Sequence, residues 1–178
     1  MDIYAVDRMI EKMAGGFEKA CLDQLRADAP KFKTIIQEQL YSGLDGDGRY
    51  LSPTYDNDPF FDRVRWYHYE NGKVYHGAEG YKQWKLDITP PKGSDLIGLP
   101  PRPEDVPNLF IDGTFYDTIV ARESGDGVNV SSESENGRDI EQKYGSQIFG
   151  MADQSAAWYN ETYMKPAIQR FFEDCGYR

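Results

Sequence analysis

The dipeptide Asn71-Gly72 lies between two runs rich in aromatic and β-branched residues, and it constrains the fold of this chain more than any other feature. Both central positions of a two-residue hairpin turn need positive φ, which Asn and Gly adopt at the lowest cost. Segment 65–77 therefore predicts a β-hairpin. Because side chains alternate between the two faces of such a ribbon, we expect aromatic rings on both faces. We interpret residues 60–78 as an inserted aromatic hairpin arm.

Apolar residues recur at steps of three and four near both ends of the chain, the spacing of one helical face. This pattern predicts helices at about 3–27 and 30–42 and a closing helix at 155–175. The pair Gly15-Gly16 interrupts the first pattern and predicts a kink or a break. Pro166 has no N–H to donate, so it predicts either a kink in the closing helix or the start of its second half.

A proline-rich segment separates the two halves of the chain. Six prolines within 90–107 predict an extended connector without ladder hydrogen bonds. Shorter patterns predict a helix at 81–86, a strand start at 108–111 and a strand or short helix at 115–122. They also predict a turn at 125–127, a strand at 128–131 and a loose polar loop at 131–139. The expected fold class is α+β, one domain over 1–178, with a long N-terminal helix and a C-terminal helix packed on a small antiparallel sheet.

The charge balance excludes one class of function. The chain has 30 acidic and 20 basic residues and a net charge of −10. Affinity for nucleic acid comes largely from neutralising phosphates with Lys and Arg, so we expect no specific nucleic-acid binding. An acidic surface along which DNA slides, as in a channel, stays open as an alternative.

Location and redox state follow from two further features. No apolar run approaches the roughly 18 residues of a membrane span, and the N-terminus lacks the pattern of a signal peptide. We therefore expect a chain made and kept inside a cell, without membrane contact. Cys21 and Cys175 lie in the first and last helical patterns, where we expect reduced, buried thiols, although the two could be neighbours in space.

Motifs that carry chemistry are missing from the sequence. The Asp-Gly segment starting at Asp45 fails the spacing of a calcium loop, since Arg49 and Tyr50 occupy the required acid and glycine positions. His68 and His76 fall on opposite faces of the predicted ribbon and cannot share a metal ion. Neither a nucleophile elbow nor a phosphate loop is found. We expect no catalytic, cofactor-binding or metal-binding residues, and a protein that is not an enzyme.

The second half resembles a known family in the order of its elements. Segment 108–119 is similar to the leucine–x–threonine–glycine–x–leucine–x–x–serine–isoleucine segment of phage tail-completion and head–tail joining (neck) proteins, with Asp112 in place of threonine. Segments 144–150 and 164–168 resemble that family's tyrosine–x–x–x–x–phenylalanine–glycine element and its proline–alanine helix. The matching residues, each of which also has a purely structural interpretation, are Gly113, Phe115, Ile119, Tyr144, Phe149, Gly150 and Pro166.

The resemblance implies a structural virion protein of a phage or of a prophage of gut bacteria, made in the bacterial host cytoplasm. Members form homo-oligomeric rings that join or complete the tail, and they contact the portal or connector or the tail tube. Segments 65–77 and 90–107 are the expected contacts with neighbouring subunits, because an aromatic ribbon needs cover on both sides. The candidate contact residues are Trp66, Tyr67, Tyr69, Val74, Tyr75, Pro100, Pro101 and Pro103.

The alternative function is a small enzyme or a carbohydrate-binding module that uses exposed aromatic rings. A concave pocket that holds aromatic residues and converging carboxylates would favour this alternative. A compact monomer that shields these rings beneath its own backbone would count against assembly.

Overall fold

A computed structural model describes residues 3–125 and 127–177. The α-helices in these ranges are α1 (Ile3–Ala27), α2 (Ala29–Tyr41), α3 (Phe60–Arg63), α4 (Gly77–Ile88), α5 (Thr114–Asp117), α6 (Gly137–Tyr144), α7 (Asp153–Tyr159) and α8 (Lys165–Asp174). The strands are β1 (Tyr67–Glu70), β2 (Lys73–His76), β3 (Ile119–Ser124) and β4 (Gly127–Ser132). A 3₁₀ turn (Ser146–Phe149) follows α6, and a π-helical turn (Asn160–Met164) joins α7 to α8.

The predicted α+β class, with a long N-terminal helix and a C-terminal helix, is confirmed. The strands form two separate antiparallel pairs, β1-β2 and β3-β4, in place of one small sheet. The predicted strand at 128–131 lies within β4, which follows the predicted turn at 125–127. Residue 126 of that turn lies outside the described residues.

The hairpin has the register that its turn predicts. Tyr67 pairs with His76 and His68 pairs with Tyr75, so the two histidines lie on opposite faces as expected. Asn71 and Gly72 have φ angles of 51° and 79°, the left-handed geometry for which this dipeptide is favoured.

The core lies around α2. Its Ile36 and Leu40 pack with Ile119 of β3 and Ile148 of the 3₁₀ turn, and all four are fully buried. On the other side of α2, a second cluster joins Phe32 and Ile35 to Tyr159 of α7 and to apolar residues of the connector.

One polar network is sealed into this core. The amide of Gln39, a fully buried side chain of α2, donates to the carbonyl of Gly150 at 2.9 Å. Its oxygen accepts from the backbone N–H of Ala152 and from the Ser155 hydroxyl, at 2.9 and 3.0 Å. Because each of these groups would be unsatisfied without its partner, the network fixes the segment that leads into α7.

The predicted break of the first helix at Gly15-Gly16 is wrong, because α1 runs through both residues. The reason is packing against α8: a Cβ at Gly16 would lie 3.1 Å from the ring of Phe171. Phe17 stacks on Phe172 in the same contact, with ring centroids 6.0 Å apart. The glycine therefore permits a close approach of two helices.

The two cysteines are both free, with Cys175 buried and Cys21 half-buried. Lys12 reaches the carbonyl of residue 174 and Gly16 faces Phe171, so α1 and α8 run antiparallel. Cys21 and Cys175 diverge in opposite directions from that contact, by about 13 Å along the helices at 1.5 Å per residue. A disulfide between them is excluded by this distance.

The closing helix follows the second alternative that Pro166 predicts. Pro166 lies in the first turn of α8, directly after the π-helical turn. Since a proline supplies no N–H to the preceding turn, the backbone widens there before α8 begins. Tyr159 is buried in this region and Trp158 is half-buried.

The connector at 90–107 has no helix or strand, as predicted, but it is not an extended arm. Its Ile97, Leu99 and Val106 are buried in the core. The expectation that this segment is too extended to be shielded by its own chain is therefore wrong, because its apolar side chains insert between the other elements. Pro100 and Pro101 remain exposed, and Pro103 is half-buried.

Two shorter predictions also fail. Residues 108–111 form turns in place of a strand, because the side chain of Asn108 accepts from the N–H of Phe110 and Leu109 adopts a φ of 55°. The polar loop predicted at 131–139 is cut short, since α6 begins at Gly137. The helix predicted at 81–86 is present and longer, as α4. Across the described ranges, no helix combines the length and apolar character of a membrane span.

Candidate functional site

The hairpin and α4 form one unit. The inner face of the hairpin packs on α4, where Trp66 meets Trp84 with ring centroids 5.6 Å apart. The Tyr75 hydroxyl donates to the Asp87 carboxylate at 2.8 Å, and the Trp84 indole donates to Glu70 at 2.8 Å. These bonds hold the ribbon in a fixed position on its helix.

Two carboxylates in this unit are stabilised in their charged form. Hydrogen bonds from Lys73, Tyr75 and Gln83 lower the pKa of Asp87 to about 2. The bond from Trp84, and then that from His68, lowers the pKa of Glu70. Both carboxylates thus serve the attachment of the hairpin to α4.

The prediction that partners must cover both faces of the ribbon is wrong for the inner face. Tyr75 is only 6% exposed and Trp66 is half-buried, since the helix that follows the hairpin folds back over them. The outer face remains open: Tyr67, Tyr69 and Val74 are 59%, 62% and 50% exposed. Of the predicted contact residues on the hairpin, these three keep the exposure that a contact surface needs.

A cleft lies between the hairpin unit and the second half of the chain. It has a volume of about 390 Å³. Its lining residues come from the segment before the hairpin, from α4, from the end of the connector and from α6. They are Tyr55, Asp58, Phe60, Phe61, Trp66, Tyr81, Lys85, Pro107, Leu109, Ile111, Asn136, Asp139, Ile140, Lys143 and Tyr144.

Aromatic rings dominate the inner wall of this cleft. Tyr81 is at the centre, with its ring centroid 5.0 Å from those of Trp66 and Phe61 and 5.5 Å from that of Tyr55. Burial raises the pKa of Tyr81 to about 12 and raises the pKa values of Tyr55 and Tyr144 as well. The phenols of the cleft are therefore neutral at physiological pH.

Lys85 is the most unusual residue of the cleft, because it is 2% exposed and forms no ion pair with any residue that the structure describes. Its amine donates to the backbone carbonyl of Phe110, which lies between the lining residues Leu109 and Ile111. Burial, and then the charge of Arg102, lower the pKa of Lys85 to about 7. At neutral pH the amine therefore exists in both its charged and its uncharged form.

The neighbouring cation, Arg102, is also 2% exposed. Its guanidinium donates to the carbonyls of Val106 and Thr89 at 2.8 and 2.7 Å, and also to that of Pro103. It thereby ties the connector to the C-terminal end of α4, where a positive charge is favourable. In the described part of the chain, backbone carbonyls are the hydrogen-bond acceptors of both Lys85 and Arg102.

Two carboxylates lie at the cleft. Asp58 forms an ion pair with Lys143 and is held by that cation, and Asp139 is exposed. Within residues 3–125 and 127–177, no group of three or more His, Cys, Asp and Glu side chains could hold a metal ion. Asp45 caps its own turn, accepting from the N–H groups of Asp47 and Arg49 at 2.9 Å.

The residues of the family-like segments lie in the core and at turns. Gly113 has a φ of 93° at the start of α5, the backbone geometry that a residue with a Cβ resists. Phe115 and Ile119 are buried together in the main core. Phe149 packs against the same core, with its ring centroid 6.3 Å from that of Phe115.

Tyr144 and Gly150 have more specific positions. Tyr144 lines the cleft, where the sequence gave no reason to place it. Gly150 ends the 3₁₀ turn and lies against Gly46, whose N–H donates to the carbonyl of Gln147 at 2.8 Å. Gly150 thus acts at a turn, as predicted, and at a close backbone contact.

Sequence reasoning missed the cleft and its lysine. One signal was available: Tyr81, Trp84, Lys85 and Ile88 follow the spacing of a single helical face, on which Lys85 is the polar member. A lysine among aromatic residues on such a face is a candidate for burial. The contribution of α6 to the cleft could not be anticipated, because the loop predicted at 131–139 includes the start of that helix.

Comparisons of the chain with protein-family models, with curated proteins and with solved structures give no match.

Proposed function

We propose that the chain is a structural subunit of a phage virion, located at the head–tail connector or at the tail terminus, where copies assemble into a ring. The observation that carries the proposal is the outer face of the hairpin. Three large apolar side chains, Tyr67, Tyr69 and Val74, are displayed there on a ribbon whose other face is fixed to α4. A preformed apolar surface binds a partner at a lower entropic cost than a mobile loop.

A ring needs two different surfaces on each copy, because head-to-tail contacts join unlike patches. The first turns of α1 supply a second apolar surface, with Ile3 76% and Ile10 54% exposed. The last helical residue of α8 contacts Lys12, so the part of α1 before that contact extends past the end of α8. We assign the hairpin face and this end of α1 to the two sides of the ring contact.

The charge and the family-like segments also support the proposal. A net charge of −10 suits a subunit beside DNA that must pass without sticking. Segments 108–119, 144–150 and 164–168 resemble tail-completion and neck proteins. Their positions at the core and at turns are compatible with a shared scaffold.

The test is the molar mass of the full chain, measured by light scattering over 5–100 μM, alone and mixed with portal, connector and tail-tube proteins. We expect a defined oligomer, alone or in the mixture. The variant Tyr67→Ser/Tyr69→Ser/Val74→Thr should weaken association by about 100-fold, since it removes three contact side chains of roughly 1 kcal/mol each. Tyr50→Ser, at a tyrosine 47% exposed outside the hairpin, is the matched control. A chain that stays monomeric in every mixture contradicts the proposal.

Carbohydrate binding is the second candidate, and the exposure of Tyr67 and Tyr69 favours it. Flat rings at a surface stack on sugar rings without a deep pocket. Carbohydrate binding would replace assembly as the proposed function if three results are found together. The wild type binds oligosaccharides, the hairpin variant does not, and the wild type stays monomeric. An enzymatic version has less support, since Asp58 of the cleft is already paired with Lys143.

A further inference from the structure

The aromatic cleft contains a positive charge without a counter-ion. The ammonium form of Lys85 has three hydrogens, and in the described residues the carbonyl of Phe110 is its hydrogen-bond acceptor. Arg102 nearby adds a repulsive charge. An anion placed beside the amine would be attracted to Lys85 and to Arg102 alike.

Lys85 is 2% exposed and belongs to the lining of the cleft. Its acceptor is the carbonyl of Phe110, between the lining residues Leu109 and Ile111. Rings such as those of Trp66 and Tyr81 also line the cleft. The cleft thus combines apolar walls with a cation, Lys85, that forms no ion pair with any described residue, whereas Lys143 is paired with Asp58.

Size and charge define the class of ligand. A volume of about 390 Å³ lies at the lower end of the range for small-molecule sites, and it is too small for a helix of a partner protein. One amine matches one negative charge, whereas a dianionic phosphate calls for several donors. The acids at the cleft, Asp58 in its ion pair with Lys143 and the exposed Asp139, further disfavour a multiply charged anion.

We propose that the cleft binds a small monocarboxylate with an apolar ring or short chain, whose carboxylate pairs with Lys85 and whose apolar part packs on Trp66 and Tyr81. The site goes beyond the proposed role in assembly and does not depend on it. Binding is non-covalent, and the ligand favours the protonated amine.

The test is calorimetric titration of the full-length chain with 2-naphthoate and with its neutral analogue 2-naphthylmethanol at pH 7. We expect the acid to bind at least 10-fold more tightly than the alcohol, as a charge-assisted hydrogen bond requires. At pH 8 the acid should bind with uptake of a proton, measured by repeating the titration in buffers of different ionisation enthalpy. The alcohol should bind without proton uptake.

Variants locate the effect. Lys85→Met should reduce the acid-to-alcohol ratio to about 1 and remove the proton uptake, and Lys85→Gln repeats the test if the methionine variant does not fold. Lys82→Met is the matched control, since Lys82 lies on the same helix but pairs with Asp56. Three results overturn the proposal: no binding of either compound, equal binding of both, or a preference for the acid that persists without Lys85. Each is independent of the mass measurement that tests assembly.

Discussion

Replacement of Lys85 by methionine probes the buried amine through protein stability. Burial and the charge of Arg102 hold the pKa of Lys85 at about 7 in the folded chain, against an ordinary value of 10.5. Between these two values the unfolded chain binds more protons than the folded chain. The free energy of unfolding therefore rises with pH through this window.

The size of the effect follows from the two pKa values. Above the pKa that Lys85 has in the folded chain, its contribution to the free energy of unfolding rises by about 1.4 kcal/mol per pH unit. At pH 6.5 the amine is mostly charged in both states and contributes little change. At pH 9 it is neutral in the folded chain and charged in the unfolded chain, which gives a gain of about 2.5 kcal/mol over the window.

The assay is urea denaturation of the wild type and of Lys85→Met at pH 6.5, 7.5 and 9. Other groups titrate in both proteins, so the difference between the two free energies of unfolding isolates Lys85. We expect the methionine variant to be the more stable at pH 6.5, and this advantage should shrink by about 2.5 kcal/mol by pH 9. Lys82→Met should show no such trend, because the hydrogen bond that Lys82 donates to Asp56 raises the pKa of Lys82 above its ordinary value of 10.5.

A difference that stays constant within about 0.5 kcal/mol from pH 6.5 to 9 would refute this reasoning. It would mean that the amine of Lys85 is as well solvated in the folded chain as in the unfolded one. A carboxylate ligand would then gain little by pairing with Lys85, because water would already solvate the charged amine. The ligand proposal would lose its physical basis.

Two further substitutions test the packing of the core. Gln39→Leu should lower the free energy of unfolding by about 3 kcal/mol in urea denaturation, since the Gly150 carbonyl, the Ala152 N–H and the Ser155 hydroxyl lose their shared partner. The control Gln154→Leu, at an exposed position, should change this free energy by less than about 0.5 kcal/mol. Equal effects of the two substitutions would show that the Gln39 network does not stabilise the fold. Gly46→Ala should cost about 2 kcal/mol, because its Cβ would lie 2.5 Å from the backbone of Gly150. Gly15→Ala should instead stabilise the protein by about 0.5–1 kcal/mol, because the added Cβ lies in open space and alanine favours the helix more than glycine does. The thermal midpoint of unfolding should therefore rise. A lower midpoint would contradict the structure.

The elements that the sequence predicts well depend on local signals. Asn71-Gly72 determines the turn and the register of the hairpin, because its preferred φ angles close the ribbon in only one way. The helices at both ends follow from periodic apolar residues over many turns. The position of Pro166 likewise restricts where an α-helical segment can begin.

The elements that were predicted wrongly depend on contacts between distant segments. The connector at 90–107 is irregular as its prolines require, yet nothing local indicates that Ile97, Leu99 and Val106 enter the core. Helix α6 is mostly polar, and the only periodic signal in it is the pair Ile140 and Tyr144. Gly16 shows the same limit, since a local rule predicts a kink where a neighbouring helix requires close approach.

The cleft and its lysine belong to this second group. Lys85 is buried because residue 110, just beyond the connector, supplies its acceptor and because α6 lines the same cleft. Neither partner is near Lys85 in sequence. The sequence therefore contains no catalytic motif that indicates this site, although the folded chain brings the Lys85 cation and several rings together.

The hairpin unit separates the proposed assembly surface from the proposed ligand site. Its inner face holds α4, and the same helix presents Lys85 to the cleft, whereas the outer face of the ribbon points away from both. Since side chains on a ribbon alternate between faces, substitutions at Tyr67 and Tyr69 leave the inner packing unchanged. We expect the hairpin variant to lose assembly and keep naphthoate binding, and Lys85→Met to lose the preference for naphthoate and keep assembly. These two results would assign the two functions to opposite sides of one rigid unit. A hairpin variant that loses both would instead mean that the outer face stabilises the cleft, and the two sites would have to be treated as one.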